Sequence, residues 1–159
     1  MFKKLLCLMA ALVLVSACDT LGLNDGEGGA NGAGGKAGAA RPGTQEDLVV
    51  NVGDRVFYAF NQSSLSDEAK ATLDRQAAWL AKYPQVSIQV AGNCDERGTE
   101  EFNLALGNRR ATAAKDYLVA KGVDGSRLTT ISYGKDKPTA VGSDEQAWAQ
   151  NRNAISSVK

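Results

Sequence analysis

The most unusual stretch of the sequence is Gly92-Asn93-Cys94-Asp95-Glu96-Arg97-Gly98-Thr99, which concentrates charge between small residues. It joins the apolar alternation of Val86 to Val90, typical of a β-strand, to a helical pattern from about Glu100 to Lys121. Loops at strand ends commonly carry binding groups, and the start of a helix attracts anions. The charge concentrated at this junction therefore predicts a binding site.

Strand and helix patterns alternate on both sides of this loop. The strand patterns cover residues 48–52, 56–60, 86–90, 128–133 and 153–158. The helical patterns run from Ser66 to a stop at Pro84, from 100 to 121 and from 144 to 152. The order β-α-β-α-β-(α)-β predicts an α+β fold in which helices pack on a mixed sheet. The expected core positions of the two long helices are Leu73, Ala77, Leu80, Ala81, Leu104, Ala111, Ala114 and Leu118.

Composition excludes several classes of function. Among the 159 residues, 18 Lys and Arg balance 18 Asp and Glu, so the chain lacks the basic excess typical of nucleic-acid binding. Because there is no histidine, catalysis by histidine and histidine-ligated metals are excluded. Cys7, Cys18 and Cys94 are too few for a disulfide framework or a four-thiolate zinc site. We expect no cofactor and no metal.

Residues 1–17 have the features of a signal peptide. Lys3 and Lys4 precede an apolar run of about eleven residues, too short for a spanning helix of about 20. The following Val15-Ser16-Ala17-Cys18 resembles the lipobox of bacterial lipoproteins, which implies cleavage before Cys18 and lipidation of its thiol. The alternatives are an ordinary signal peptide or an uncleaved anchor, with Cys18 present by chance.

The segment after Cys18 predicts a tether. From Asp19 to about Arg41 the chain is mostly Gly, Ala, Asn and Asp, which cannot bury enough apolar surface to offset the entropy of ordering. We therefore divide the chain into a signal peptide at 1–17, a lipidated Cys18 with a flexible tether at 18–47, and a folded domain at 48–159.

Two charged residues near the loop suggest a ligand. Asp95 offers an anionic acceptor and Arg110 a planar two-donor fork, a combination that suits the head group of an amino acid. Asn103 lies seven residues before Arg110 and shares its helical face. Residue chemistry alone favours ordinary roles instead: Asp95 as a helix cap, Arg110 in a surface ion pair and Asn103 as a solvated residue. Cys94 is expected to be a small buried apolar group.

Several motifs together resemble the OmpA C-terminal-like family, over about residues 48–158. They are Leu65 to Ala69, Cys94 to Thr99, Asn103 to Gly107, Arg109 to Ala111, Ser132 to Gly134 and Ala147 to Arg152. The resemblance implies that family's α+β fold and non-covalent, non-enzymatic binding of the peptidoglycan stem peptide through meso-diaminopimelate.

The resemblance also implies a role for five residues. The family's loop aspartate falls on Asp95, which would accept from the diaminopimelate ammonium group, and its helix arginine falls on Arg110, which would pair with the carboxylate. The helix asparagine falls on Asn103, the asparagine after the first core strand on Asn61, and the arginine of the late Asn-Arg motif on Arg152.

Partners and location follow from the same resemblance. It implies the TolB propeller and other Tol proteins as partners, within the Tol–Pal system of envelope integrity and cell division. The expected location is the periplasmic face of the outer membrane. Asp19 leaves retention at the inner membrane open, because that residue favours it in enteric bacteria.

The sequence departs from the family at three positions. Asn93 stands where histidine is usual, Ala59 where aspartate is common and Asn153 where a second arginine is common. We expect Asn93 to keep a donor and an acceptor without titrating, and the other two to weaken the periphery of the site. An adaptor that binds Tol proteins with a weakened wall site is the alternative function. A hydrolase using Asp95 and Glu96 is disfavoured, because adjacent loop residues rarely converge on one bond.

Overall fold

In the computed structural model, which describes residues 40–159, four strands form one mixed sheet. The strands are β1 (Arg55–Phe57), β2 (Ile88–Asn93), β3 (Leu128–Gly134) and β4 (Asn153–Val158). Their order across the sheet is β1-β4-β2-β3, with β2 and β3 parallel and β4 antiparallel to both β1 and β2. The α+β class and the predicted alternation of strand and helix are confirmed.

Four α-helices accompany the sheet within the described residues. They are α1 (Gln45–Asp47), α2 (Asp67–Lys82), α3 (Glu100–Ala120) and α4 (Glu145–Asn151). The three longer helices each begin after a side-chain cap, because the oxygens of Ser66, Thr99 and Asp144 accept from backbone N–H groups of the first turn. None of the helices in residues 40–159 has the length and apolar content needed to cross a membrane.

The segment 48–52, predicted as a strand, is a π-helical turn (Leu48–Val52) that continues α1. Leu48 is buried while the adjacent Val49 and Val50 are exposed, so the apolar residues do not alternate between two faces of a sheet. Asp47 anchors the turn because its Oδ2 accepts from Trp79 Nε1 at 2.8 Å. The contacts with the folded domain thus begin before residue 48. The predicted signal peptide, Cys18 and most of the predicted tether lie outside the described residues.

The core lies between the helices and one face of the sheet. It includes six of the eight helix positions expected from the sequence, whereas Ala81 and Leu104 are exposed and the prediction for them was wrong. The strands contribute Val56, Ile88, Val90, Leu128 and Ala154. At about 25 cal/mol per Å² of apolar surface removed from water, this burial is the main stabilising contribution.

A pair of glycines brings α3 against β2. A Cβ on Gly92 would collide with the backbone carbonyl of Gly107, and one on Gly107 with Ser132 Oγ and the Gly92 carbonyl. The parallel register shifts between Gly92 and Asn93, and Cys94 N then donates to Gly134 O at 2.7 Å. The close approach and the shifted register together set the first half of α3 beside the loop that follows β2.

Candidate functional site

The charged loop, residues 94–99, forms one wall of a cavity of about 210 Å³. The loop after β1 and the first half of α3 form the other walls. The lining residues are Phe60, Asn61, Cys94, Asp95, Arg97, Gly98, Phe102, Asn103, Leu106 and Arg110. The structure thus brings four of the five residues predicted from the sequence to a single cavity, and the fifth, Arg152, contacts one of them from behind.

Asp95 lies at the polar end of this cavity and is only 4% exposed. Its Oδ2 accepts from Arg97 Nη2 at 2.6 Å and from Arg152 Nη1 at 3.4 Å, and its Oδ1 accepts from the Arg97 backbone and Nε. Burial raises the pKa of this carboxyl, but the hydrogen bonds from Arg97 and Arg152 outweigh it and hold the pKa below its ordinary value. Asp95 is therefore a buried carboxylate and does not cap α3. The residue that caps α3 is Thr99.

Arg97 is part of the site, although no role was predicted for it from the sequence. Its guanidinium lies between two aromatic rings, 4.1 Å from the Phe60 centroid and 4.0 Å from that of Trp148. Trp148 is held in place because its Nε1 donates to Glu96 Oε1 at 3.0 Å. A cation over an aromatic face is stabilised by the ring quadrupole. The available sequence signal was Arg97 itself, a charged residue of the loop, whereas the two rings come from the turn after β1 and from α4, far apart in sequence.

Arg110 is 1% exposed, so it is not the residue of a surface ion pair. Its Nε donates to Gln62 O at 2.8 Å, its Nη1 to Asn93 O at 2.7 Å and its Nη2 to Ala59 O at 3.2 Å. These bonds tie the loop after β1 to the end of β2. Burial lowers the pKa of this guanidinium. Its Nη1 also donates to Cys94 Sγ at 3.4 Å. Because four of its five N–H groups are engaged, Arg110 presents positive charge and a single remaining Nη2 N–H rather than a free two-donor fork.

Asn103 is buried rather than solvated, and it shapes the charged loop. Its Nδ2 donates to Arg97 O at 2.9 Å, and its backbone carbonyl accepts from the thiol of Cys94 at 3.4 Å. Burial raises the pKa of that thiol, in agreement with the predicted small buried apolar group. Asn61, on the opposite wall, has a positive φ of 56°. Among residues 40–159 it is the one residue other than glycine with a positive φ. This left-handed conformation, which asparagine tolerates, turns the chain at the cavity rim.

Arg152 supports the site from behind, since it does not line the cavity. Its Nε donates to Tyr58 O at 3.1 Å and its Nη2 to Glu145 Oε1 at 2.7 Å, while Nη1 faces Asp95. Side-chain exposure of 8% makes it a buried cation, so it keeps Asp95 ionised and oriented. Glu96, the second carboxylate of the loop, lines a different surface cavity.

The three departures from the family pattern have different places in the structure. Asn93 and Asn153 are both buried, and Asn93 Nδ2 donates to Asn153 Oδ1 at 2.7 Å. Neither lines the cavity, so Asn153 lies in the interior rather than at the periphery of the site. Ala59 is exposed, and its carbonyl accepts from Arg110. The two asparagines therefore form a structural pair beneath the charged loop.

The chemistry of the cavity is that of a binding site with one polar end. Phe60, Phe102 and Leu106 provide apolar walls, and Asp95 with its arginines provides charge. This lining suits a short aliphatic chain that ends in charged groups. Among the lining residues, Cys94 has the side chain that is most often a nucleophile. Burial raises the pKa of its thiol, so the reactive thiolate is disfavoured.

Comparison with known proteins assigns this architecture to a family. The OmpA family model matches residues 57–152, which include all of the cavity. The chain belongs to the OmpA family. A relative in Rhizobium meliloti (strain 1021), named peptidoglycan-associated lipoprotein, is 59% identical over 126 residues, 79% of this chain and 72% of the relative. One of the same name in Mesorhizobium japonicum is 49% identical over 152 residues, 94% of this chain and 88% of that protein.

Two solved structures agree with the fold. The crystal structure of the peptidoglycan-associated lipoprotein from Burkholderia pseudomallei has a TM-score of 0.65 at 42% identity, covering 67% of this chain and 90% of that one. The C-terminal domain of Helicobacter pylori MotB has a TM-score of 0.63 at 21% identity, covering 67% of this chain and 84% of that one. The second likeness is one of fold alone.

Proposed function

We propose that this chain binds peptidoglycan non-covalently, by holding the diaminopimelate side chain of the stem peptide in the cavity beside the charged loop. The observation that carries the proposal is the buried Asp95 carboxylate at the end of an apolar-walled cavity. The names of the relatives support it, because they describe proteins associated with peptidoglycan.

The shape and charge of the cavity suit this ligand. The diaminopimelate side chain is a short run of methylenes that ends in a carbon bearing both an ammonium and a carboxylate. The methylenes match the apolar side chains of Phe60, Phe102 and Leu106, the ammonium matches Asp95, and the positive charge of Arg110 faces the carboxylate. Asn103 and Arg152 hold the loop and the carboxylate in position, and Asn61 forms the rim.

The wall-binding domain would act at a membrane. We infer that Cys18 is lipidated, that the chain lies on the periplasmic face of the outer membrane, and that it works with TolB and other Tol proteins in envelope integrity and cell division. The lipobox-like sequence and the relatives' names support the lipid anchor, and the resemblance described above is the basis for the Tol partners. A non-enzymatic role fits the same names. An adaptor for Tol proteins with a weakened wall site remains the competing function.

Sedimentation with purified sacculi tests wall binding. The protein is the chain from residue 18 with Cys18→Ser, which is soluble because it carries no lipid. We expect it to sediment with sacculi and Asp95→Asn to lose at least about 30-fold in affinity, because a ligand cation loses its partner. Asp116→Asn, an exposed aspartate on α3, is the matched control and should bind as the parent does. A parent that binds TolB but not sacculi would favour the adaptor.

Palmitate labelling in cells tests the anchor separately. The intact chain should take up label, and Cys18→Ser should not, since the predicted attachment point is a single thiol. Cys94→Ser is the control, because Cys94 is buried in the folded domain. Label retained by Cys18→Ser would contradict the lipobox interpretation and leave the wall-binding proposal untouched.

A further inference from the structure

The Asp95 carboxylate, which the proposed function assigns to a ligand ammonium, is already paired within the protein. Arg97 Nη2 lies 2.6 Å from Oδ2, and Arg97 Nε lies 3.2 Å from Oδ1. The guanidinium also contacts the rings of Phe60 and Trp148, at 4.1 Å and 4.0 Å from their centroids. A carboxylate with two aromatic faces is a cation-binding arrangement, and here a side chain of the protein fills it.

We propose that Arg97 occupies the subsite of the ligand's ammonium group, so that binding of the stem peptide requires Arg97 to leave Asp95. This inference rests on the proposed function and adds to it a cation subsite made of Asp95, Phe60 and Trp148. Arg97 is then an internal competitor that sets the affinity for an ammonium-bearing ligand.

Three features indicate that Arg97 is the displaceable partner of Asp95. Its side chain is 32% exposed, whereas that of Arg152, the other partner, is 8% exposed. Arg152 remains on Asp95 when Arg97 departs, so the buried carboxylate is not left without a cation. A second acceptor is also close, because Glu145 Oε2 lies 3.9 Å from Arg97 Nη1 and its side chain is 66% exposed.

The loop geometry permits the exchange. Only the side chain of Arg97 has to move, because its backbone N–H donates to Asp95 Oδ1 and its carbonyl accepts from Asn103 Nδ2. Trp148 is fixed independently of Arg97 through its hydrogen bond to Glu96, so the ring stays in place for an incoming ammonium. The aromatic faces and the carboxylate therefore form the subsite whichever cation occupies it.

Calorimetric titration of the soluble chain with a tripeptide stem ending in meso-diaminopimelate tests the proposal. Arg97→Gln should bind about 5- to 30-fold more tightly than the parent, because the competing partly exposed ion pair and its ring contacts are gone. Arg109→Gln removes a neighbouring exposed arginine with the same change in charge and should leave the affinity unchanged. Unchanged or weaker binding by Arg97→Gln would overturn the proposal.

A modified ligand and a second measurement make the result specific. With the side-chain amino group of diaminopimelate acetylated, Arg97→Gln should show no gain, and a gain would mean that Arg97 only obstructs the cavity. In the parent, the Arg97 Nε resonance should move to the position of a solvent-exposed arginine when the unmodified peptide binds. A parent that binds while this resonance is unmoved contradicts the inference alone. Absence of binding to peptide and sacculi by parent and Arg97→Gln overturns the proposed function and this inference together.

Discussion

Asn93 and Asn153, sixty residues apart in sequence, form a side-chain pair beneath the charged loop, with Asn93 Nδ2 donating to Asn153 Oδ1 at 2.7 Å. Asn153 Nδ2 in turn donates to Thr139 Oγ1 and Gln150 O. Both asparagines stand where the family pattern usually has other residues. The two departures therefore belong together, because the paired side chains connect the end of β2 to Thr139 in the loop before α4.

This pair predicts coupled effects on stability. Asn93→Ala should lower the free energy of unfolding by about 1–3 kcal/mol, because the buried Oδ1 of Asn153 loses its donor. Asn153→Ala should be destabilising as well, and the double variant should depart from additivity by about 0.5–3 kcal/mol. Urea unfolding of the four proteins measures the cycle. Asn108→Ala, at an exposed position of α3, is the control, and strict additivity would contradict the pairing.

The contact of Gly92 with Gly107 predicts a strict requirement for glycine. Gly92→Ala and Gly107→Ala should each cost on the order of 3 kcal/mol or more, since the new methyl group meets backbone that cannot move aside. Gly125→Ala is the matched control, because a Cβ there meets nothing nearer than Val119 Cγ2 at 3.7 Å. Thermal unfolding measures all three. A Gly92→Ala variant as stable as Gly125→Ala would show that α3 and β2 do not approach this closely.

Much of the fold was predictable because local signals and tertiary packing agree. Ser66 caps α2, and the acidic first turn and Pro84 define its limits, so propensity and structure coincide there. The segment 48–52 was not predictable in the same way. Its alternation is short, and the side chain that decides its conformation is Asp47, through a bond to Trp79, 32 residues away. The local hydrophobic pattern of a segment does not show a hydrogen bond to a residue so distant in sequence.

The site was predictable in part for a similar reason. The spacing of Asn103 and Arg110 on one helical face places both at the cavity, and the charged loop supplies Asp95. The engagement of Arg110 by three backbone carbonyls was not visible, because carbonyls are present at every position and sequence does not show which ones converge. The contact of Arg97 with Phe60 after β1 and Trp148 of α4 was not visible either, because these rings are distant from Arg97 in sequence.

Asp47 predicts a dependence of stability on pH. Hydrogen bonds from Asn51, Trp79 and the Gly43 backbone hold the pKa of this carboxyl below its ordinary value in the folded protein. A lowered pKa means that the stabilisation is fully present above the unfolded-state pKa of about 3.9 and is lost as the pH falls through the folded-state pKa. Asp47→Asn should therefore be less stable than the parent near neutral pH, and the difference should shrink below about pH 4.

Urea unfolding across this pH range measures that difference, with Asp116→Asn as the control for loss of an exposed carboxylate. The Asn variant retains the shape of the side chain but replaces one acceptor with a donor, which opposes the N–H groups of Trp79, Gly43 or Asn51. A stability difference between parent and Asp47→Asn that stays constant from pH 7 to pH 3 would show that the carboxylate is not the group that anchors α1.

Arg110 predicts a loss of stability that accompanies any loss of binding. Its guanidinium donates to the carbonyls of Ala59, Gln62 and Asn93, and a lysine cannot reach all three from one ammonium group. Arg110→Lys should therefore lower the free energy of unfolding by on the order of 3 kcal/mol, since the buried carbonyl of Asn93 and two partly buried carbonyls compete for one ammonium group. Arg109→Lys, one residue earlier and exposed, should change the free energy of unfolding by less than about 0.5 kcal/mol.

Urea unfolding gives both values, and titration with the stem peptide at low urea then separates affinity from folding. An Arg110→Lys variant with the parent's stability would mean that Arg110 does not hold the two loops together, and any loss of affinity would then belong to direct contact with the ligand.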